Sequence, residues 1–533
     1  MVDYISKPYV FTSTVKNYHR LPRFGHGSDF TLLFSPNHNE QVDYAAGLIA
    51  LFAFLLTFFM FWTIMLATFK VMGPANAGFL SGHHFVVPDP ADDKGNISKR
   101  YGLLFPPHMF FTSLTVRYAK MSPSLTFCDR PLRVRVVFLI ATGILMLFVF
   151  LLAFMGFNNT DKAAETMSDS LKLVQKYLGE ADQISQNLNV VGENSKGIRD
   201  DAVSALKDVC PANPNIAAMA GIDLIGIAEK ARTDMENLAD FIKDGLEDFN
   251  EGLQLVQGVT SRAYGTIDSI NVWGWPTMLL VAGLLTLPSF LAVGVGLVML
   301  GIDVKAYQNT LTYFFLPLFT ITIIACYIVC CLVLPFSVTT ADACSGGGAI
   351  LGGPDDTVLT IYRNLRGNRT DIEFQLVGYY TQQCNPEYEP YGFFETYLND
   401  LDKAIDSTEI AMITVEDNKA FLEEQCDRTF DDVQTTMTDM INNLKLLRQQ
   451  ADRSLELIKC ENLNDLYVDT FHDAGCTYSV DALGWIFAAS LVISVCGLIM
   501  IMLRSAYYPE EQMGLAHVIG GESAVRRPTK SST

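Results

Sequence analysis

Residues 275–302 read WPTMLLVAGLLTLPSFLAVGVGLVMLGI, a run of 28 residues without a single Asp, Glu, Lys, Arg or His. About 20 helical residues cross a hydrocarbon core of about 30 Å, so this run predicts a transmembrane helix. Four more apolar runs without charge occur at residues 45–69, 136–157, 311–338 and 482–503. We therefore predict an all-α membrane protein with five transmembrane helices, called TM1 to TM5 in chain order.

The charges of the connecting segments predict the orientation of these helices. The chain has a net charge of −20, and most of its acidic excess lies in two long loops, residues 158–274 with −9 and residues 337–481 with −17. The loop 70–135 instead holds nine Lys and Arg against four acidic residues, which the positive-inside rule places in the cytoplasm. This predicts a plasma-membrane protein with an extracellular N-terminus and a cytoplasmic C-terminus. Residues 1–44, 158–274 and 339–481 are then extracellular, and residues 70–135, 303–310 and 504–533 are cytoplasmic.

The two acidic loops contain helical apolar stripes. Apolar residues recur every three or four positions over residues 238–256 and again over residues 433–458. This spacing is typical of helices that pack on other helices, so the loops predict an extracellular helical bundle. The stripes form either the core of that bundle, a lipid-binding groove or a dimer interface. For a groove, the candidate lipid contacts are Phe241, Phe249, Met437 and Met440, because flexible thioethers and aromatic rings adapt to acyl chains.

Cysteine positions agree with the predicted extracellular loops. Disulfides persist on the oxidising side of a membrane, and an even number of cysteines lies in these loops. They are Cys210, Cys344, Cys384, Cys426, Cys460 and Cys476. Residues alone leave their pairing open. The sequon at Asn368 lies well inside the second loop and predicts N-glycosylation there.

The predicted membrane helices offer hydroxyl groups but no Asp, Glu, Lys, Arg or His. Proton relays and coupled transporters need charges within the membrane, so active transport is not expected. An anion path beside TM3 to TM5 would be lined by hydroxyls, and its candidate residues are Thr286, Ser289, Thr320 and Thr322. The alternative is that these residues only mediate helix contacts. The acidic loops also repel chloride from the outer side, unless calcium or salt offsets their charge.

Catalytic motifs are missing from the sequence. It contains no HExxH, GxSxG or GxxxxGK[ST] pattern, so we predict that the protein is not an enzyme. Three acidic pairs offer oxygen ligands for calcium or simply form solvated helix faces, and they are Asp200-Asp201, Asp355-Asp356 and Asp431-Asp432. No other cofactor and no nucleic-acid partner is predicted.

Several short motifs, taken in order along the chain, resemble one known family. Leu21-Pro22-Arg23 precedes TM1, Ala341-Asp342-Ala343-Cys344 follows TM4, Tyr379-Tyr380 stands before Cys384-Asn385, and Tyr467 lies between Cys460 and Cys476 before TM5. Their order and spacing around five spans resemble the tweety family over nearly the whole chain. Prominins share the five-span plan, but their extracellular loops are much longer.

The resemblance implies a fold and a function. Tweety proteins have been assigned calcium-activated or volume-regulated chloride-channel activity, and they form dimers with an apolar cavity suited to lipid. The resemblance also implies the disulfides Cys344–Cys476 and Cys384–Cys460, which leaves Cys210 and Cys426 to link the two loops. The chain departs from the family at residues 209–215, where no basic residue matches the one associated with anion permeation. The expected function is therefore a chloride channel, with a non-conducting lipid-binding or adhesion scaffold as the alternative.

Overall fold

The computed structural model describes residues 8–77, 86–87, 129–207, 254, 257–258, 260–269, 272–302, 304–346, 352–366, 372–384, 392–457, 459–508 and 511–512. Nearly all described residues with regular structure are helical. The α-helices are α1 (Ser13–His19), α2 (His38–Ala77), α3 (Asp129–Leu151), α4 (Asn158–Lys207), α5 (Trp275–Met299), α6 (Lys305–Thr310), α7 (Leu316–Ser345), α8 (Gly353–Arg366), α9 (Ile372–Thr381), α10 (Gly392–Asp417), α11 (Lys419–Cys426), α12 (Asp431–Leu457), α13 (Cys460–Tyr467) and α14 (Val480–Met502). Short 3₁₀ helices span Phe30–Phe34 and Arg504–Tyr507, π-helices span Leu152–Phe157, Leu311–Phe315 and Val468–Ser479, and strands β1 (Val86–Val87) and β2 (Glu511–Gln512) pair in parallel.

Five helical segments are long and apolar enough to cross a membrane, which confirms the predicted all-α architecture. TM1 lies in α2, TM2 in α3, TM3 in α5, TM4 in α7 and TM5 in α14. The helices run beyond the predicted spans. The π-helix Leu152–Phe157 joins TM2 directly to α4, and the π-helix Val468–Ser479 joins α13 directly to TM5. The loops therefore begin as continuations of the membrane helices. Gly156 and Gly475 lie in these junctions, and the helix continues through both.

TM2 to TM5 form one apolar core. Phe138 of TM2, Leu291 of TM3 and Phe319 of TM4 are almost fully buried in it, together with Ile493 of TM5. TM4 and TM5 approach closely at Gly497, where an added Cβ would lie only 2.4 Å from Cδ1 of Ile323. Small residues of this kind let membrane helices pack with their backbones near one another.

TM1 lies at the edge of this core. Only 11% of its apolar window is buried, against 44% for TM4. Two contacts hold it near the middle of the membrane: the Tyr327 hydroxyl donates to the Leu55 carbonyl over 2.8 Å, and the ring of Phe59 stacks on that of Tyr327 with centroids 4.6 Å apart. Nearer the outer side, Leu51 of TM1 is also buried against Leu334 and Val338 of TM4, while most of the remaining surface of TM1 is exposed.

Helices from both loops pack together on the outer side of the protein. The outer side means the side that the charges predict to be extracellular. The long helix α4 of the first loop contacts α12 of the second loop, and α12 also packs on α10. The stripe predicted over residues 433–458 forms the buried face of α12, including Val433, Leu444 and Leu447. The stripe predicted over residues 238–256 lies almost entirely outside the described residues. The outer bundle is therefore built from helices of both loops.

Candidate functional site

A cavity of about 270 Å³ lies among TM2, TM3, TM4 and TM5. Its lining comes from the end of TM2, the start of TM3 and the outer halves of TM4 and TM5. The lining residues are Leu152, Phe157, Pro276, Thr277, Leu280, Cys326, Val329, Ile486 and Ser490. Most of these side chains are apolar, so the cavity suits a hydrocarbon chain better than an ion.

Local sequence features shape this cavity. The π-helix Leu152–Phe157 inserts an extra residue at the outer end of TM2, and Pro276 occupies the first turn of α5, where a proline does not break the helix. Gly156 allows TM5 to approach TM2, since an added Cβ would lie 2.9 Å from Cγ1 of Ile486. The helices are thus in tight contact on one side of the cavity.

The polar groups of the lining are few. The Cys326 thiol lies 3.8 Å from the Ser490 carbonyl, a weak hydrogen bond between TM4 and TM5. Thr277 contributes a hydroxyl from the first turn of TM3. An acyl chain in the cavity would cost these few polar groups little hydrogen bonding, because the Cys326 thiol and the Ser490 carbonyl already bond to each other.

The four residues proposed for an anion path do not line this cavity. Each hydroxyl donates to the carbonyl four residues earlier in its own helix: Thr286 over 2.7 Å, Ser289 over 2.6 Å, Thr320 over 2.8 Å and Thr322 over 3.0 Å. Thr286 is exposed on the outside of the bundle, and the other three are half-buried. Such bonds to the helix backbone are typical of Ser and Thr in membrane helices, so these hydroxyls are engaged within their own helices.

Two of the four proposed lipid contacts lie in the core of the outer bundle. Met437 and Met440 are each 6% exposed, and Met437 packs with Phe430 and Val433. Their arrangement corresponds to the core-packing interpretation of the stripe. The other two, Phe241 and Phe249, lie outside the described residues.

The structure contains two disulfides among its described cysteine pairs. Cys344 bonds to Cys476 and Cys384 bonds to Cys460, the two pairs that the family resemblance implies. Cys426 is also disulfide-bonded and almost fully buried. Cys210, its expected partner, lies outside the described residues, as does the predicted glycosylation site Asn368.

The acidic pairs form no metal site in the part of the chain that the structure describes. Among the described residues, no three carboxylate, imidazole or thiol groups stand close enough to hold a metal ion. The pair Asp431-Asp432 begins α12, where carboxylates favour the helix N-terminus, and Asp431 pairs with Lys419. Asp200-Asp201 belongs to α4.

A buried charged cluster lies at the outer end of TM4, and we call it the Asp342 cluster. The Asp342 carboxylate is 1% exposed and accepts hydrogen bonds from Nη2 of Arg23 and, over 2.8 Å, from the Tyr44 hydroxyl. Nδ1 of His19 lies 2.9 Å from the same carboxylate. The Arg23 guanidinium is also buried and stands over the Tyr44 ring, 5.6 Å from its centroid. One carboxylate thereby joins TM4 to TM1 and to the N-terminal tail.

A second polar cluster lies beside the first disulfide. Oδ1 of Asp355 accepts a hydrogen bond from the Tyr467 hydroxyl over 2.7 Å and lies 2.7 Å from Nε2 of His472. The ring of Tyr9 packs edge-on against His472. The pKa of Tyr9 lies above its usual range, because its phenol is buried and faces the carboxylates of Asp481 and Asp355. The N-terminal tail is therefore attached to this cluster as well.

The sequence contained the residues of the Asp342 cluster without revealing their role. Arg23 and Asp342 both belong to quoted motifs, and each lies close to an apolar run, where a charged residue needs a partner. Their pairing over 319 positions depends on the way the tail folds back on TM4. The signal that the sequence offers for this cluster is a charged residue next to a predicted span.

The chain matches no model of a known protein family, and no curated protein matches it either. The tweety resemblance therefore stays a prediction that depends on the motifs quoted above. The five helices long and apolar enough to span a membrane and the two disulfides are observed in the structure and do not depend on that resemblance.

Proposed function

We propose that this multi-pass membrane protein is not an enzyme and binds membrane lipid, holding an acyl chain in the cavity among TM2 to TM5. The observation that carries the proposal is the apolar lining of that cavity, with Leu152, Leu280 and Ile486 on three different helices. Its volume of about 270 Å³ is near the lower limit of known ligand pockets, about 300 Å³, so it suits one chain better than a whole lipid.

The position of the cavity supports this proposal. Phe157, Pro276 and Thr277 belong to the outer ends of TM2 and TM3, so the cavity is near the level of the outer leaflet. Val329 lines the cavity and is also 42% exposed on the outside of the bundle. An acyl chain can therefore enter sideways from the bilayer without crossing water.

Native mass spectrometry of protein extracted in mild detergent tests the proposal. Leu280→Trp fills the cavity and should abolish co-purifying lipid. Leu279→Trp is the matched control, because the neighbouring Leu279 is 61% exposed to the membrane and does not line the cavity. Lipid retained by both variants, or absent from the wild-type protein, would refute this site.

Chloride conduction is the second candidate and the function that the tweety resemblance implies, with calcium or cell volume as the regulator. One observation favours it: the cavity lies among TM3, TM4 and TM5, and Thr277 and Ser490 bring hydroxyls to its wall. Against it, the hydroxyls of Thr286 and Ser289 bond to their own helix.

Chloride flux into proteoliposomes, with and without calcium, tests conduction. An anion path beside TM3 predicts that the double substitution Thr286→Val and Ser289→Val changes conductance or selectivity. Unchanged flux in the double variant would remove this path, and no flux from the wild-type protein would leave the lipid-binding scaffold.

We further propose a plasma-membrane dimer with the N-terminus outside, and the same scaffold can serve adhesion through its outer bundle. Orientation is tested by enzymatic removal of N-glycans from the protein made in cells. A mobility shift should disappear in Asn368→Gln and persist in Asn96→Gln, since the sequon at Asn96 is predicted to be cytoplasmic. Light scattering of the purified protein measures whether it is a dimer.

A further inference from the structure

The disulfide between Cys344 and Cys476 is covered by the N-terminal tail. It connects the outer end of α7 to the π-helix before TM5, and each of its cysteines is 4% exposed. Both cysteines belong to one buried cluster with Val15 of α1, which has no exposed surface. Cys384 and Cys460, which form the other disulfide, are half-buried. Of the two disulfides with both cysteines among the described residues, one is thus covered and the other is accessible.

The covering segment comprises residues 9–34, since Tyr9 and Phe11 also pack against the cluster that holds this disulfide, and it is called the N-terminal segment here. Its helix α1 has only seven residues and is capped by Thr12, whose hydroxyl accepts a hydrogen bond from the Val15 N–H over 3.2 Å. A helix of this length is not stable alone in water. The N-terminal segment therefore keeps its shape only through contacts with the rest of the protein.

Tyr18 makes one of these contacts with TM5. Its hydroxyl donates to the Gly484 carbonyl over 2.8 Å, and its ring meets Phe487 edge-on with centroids 6.0 Å apart. The absence of a side chain at Gly484 permits this approach, since an added Cβ would lie 2.7 Å from Cγ2 of Thr14. The contact is close but depends on one hydrogen bond and on modest ring packing.

The ion pair between Arg23 and Asp342 is the strongest contact of the N-terminal segment. Both groups are buried, and opening the segment would separate the charges and leave the Asp342 carboxylate without the Arg23 counter-charge. His19 and Ser345 also face this site, with the Ser345 hydroxyl 3.1 Å from Nδ1 of His19. This ion pair therefore opposes opening of the segment.

We propose that the N-terminal segment is a releasable cover, held by the Arg23–Asp342 ion pair, and that the Cys344–Cys476 bond beneath it is a redox-regulated site for an extracellular dithiol. In the closed state a thiolate cannot reach either sulfur. Release of the segment exposes the bond, while the Cys384–Cys460 bond stays accessible in both states.

The reaction is a thiol–disulfide exchange with a dithiol as the reductant. One thiolate of the dithiol attacks a sulfur of the Cys344–Cys476 bond, forms a mixed disulfide and displaces the other cysteine as a thiolate, which takes up a proton. The second thiol of the dithiol, after losing its proton, then attacks the mixed disulfide. The dithiol ends as a disulfide, and both cysteines of the protein end as thiols.

Reduction removes the covalent connection between the outer ends of TM4 and TM5. Both helices border the cavity, through Cys326 and Val329 of TM4 and Ile486 and Ser490 of TM5. Loss of the bond thus loosens one wall of the cavity. This last consequence depends on the proposed lipid binding, whereas the covering of the disulfide does not.

The test measures reduction of each disulfide in the full-length protein in detergent micelles. Dithiothreitol is the reductant, samples are blocked with a maleimide at intervals, and mass spectrometry quantifies the label at each cysteine. Arg23→Gln removes the ion pair, and Arg20→Gln is the matched control, because Arg20 belongs to the same segment and is exposed. Label at Cys331, a buried cysteine of TM4, reports loss of the fold.

In the wild-type protein we expect the Cys384–Cys460 bond to be reduced at least about tenfold faster than the covered bond. Arg23→Gln should speed reduction of the covered bond at least about tenfold, with the accessible bond unchanged, and Arg20→Gln should match the wild type. Equal rates for the two bonds in the wild-type protein would overturn the proposal, as would no acceleration in Arg23→Gln.

A second variant keeps the test decisive if Arg23→Gln exposes Cys331. Tyr18→Phe removes only the hydrogen bond to Gly484, so the fold should be retained. Faster reduction of the covered bond in this variant supports a releasable cover. An unchanged rate overturns it.

Discussion

Substitution of the buried ion pair is the most direct test of how the N-terminal tail is held. In Asp342→Asn, the Arg23 guanidinium stays buried without a counter-charge, since Arg23 is 4% exposed. Removing one partner of a buried pair costs about 3–5 kcal/mol, and we expect the free energy of unfolding to fall by that amount.

The reverse substitution should cost less. In Arg23→Gln the Asp342 carboxylate keeps the Tyr44 hydroxyl and the His19 ring as hydrogen-bond donors. We therefore expect a loss near the lower end of the same range, about 3 kcal/mol. The double variant has no buried charge left, so its loss should be smaller than the sum of the two single losses by at least about 2 kcal/mol.

Equilibrium unfolding in detergent micelles, followed by circular dichroism, measures these differences. Arg20→Gln is again the control and should change the stability by no more than about 0.5 kcal/mol, because Arg20 is an exposed residue. If the two single losses add to within about 0.5 kcal/mol in the double variant, the two residues are not coupled and the reasoning is refuted.

Three further predictions concern packing, disulfide pairing and pH. Gly497→Ala should destabilise the protein by about 1–3 kcal/mol, because its Cβ would meet the buried Ile323, and Ile323→Val should restore part of this loss in thermal unfolding. A peptide that joins Cys426 to Cys210 should appear in non-reducing mass spectrometry, and a free thiol at Cys210 would contradict this pairing of the loops. The raised pKa of Tyr9 means that folding favours its protonated form, so its contribution to stability is complete below about pH 10 and declines at higher pH. Tyr9→Phe should weaken this alkaline decline in a stability profile measured against pH, and an identical profile would contradict the prediction.

The cavity and the polar clusters lie in two different regions of the protein. The apolar lining around Leu280 and Ile486 lies within the membrane bundle, whereas the buried charges of Arg23 and Asp342 lie where TM4 leaves it. The Cys344–Cys476 bond is the covalent connection between TM4 and TM5 at that level. Under the proposed redox regulation, reduction of this bond affects the shape of the cavity through the two helices that border it.

Some features of the candidate site were within reach of sequence reasoning and others were not. The sequence identifies Thr286 and Thr322 as polar residues of the spans, but whether their hydroxyls are available to an ion depends on their hydrogen bonds. In the structure they donate to their own helices, which a list of residue types does not reveal. The cavity was also beyond prediction, since its lining comes from Leu152, Leu280 and other residues that are far apart in the chain.

The sequence by itself determined the five spans, the all-α class and the helical stripe of α12. Each of these follows from local rules: a charge-free run must satisfy its backbone hydrogen bonds within a helix, and apolar residues at helical spacing must be buried. The run at residues 275–302 is sufficient to predict TM3 without any knowledge of its neighbours.

Only the tertiary structure decided which distant residues meet. Arg23 and Asp342 pair across 319 positions, and Asp355 meets His472 across 117. No local rule fixes such pairs, because the desolvation of one charge is offset only by the particular partner that the fold brings to it. The same holds for the cavity, which exists because four helices leave space between them, and packing of whole helices is set by the sum of many side-chain contacts.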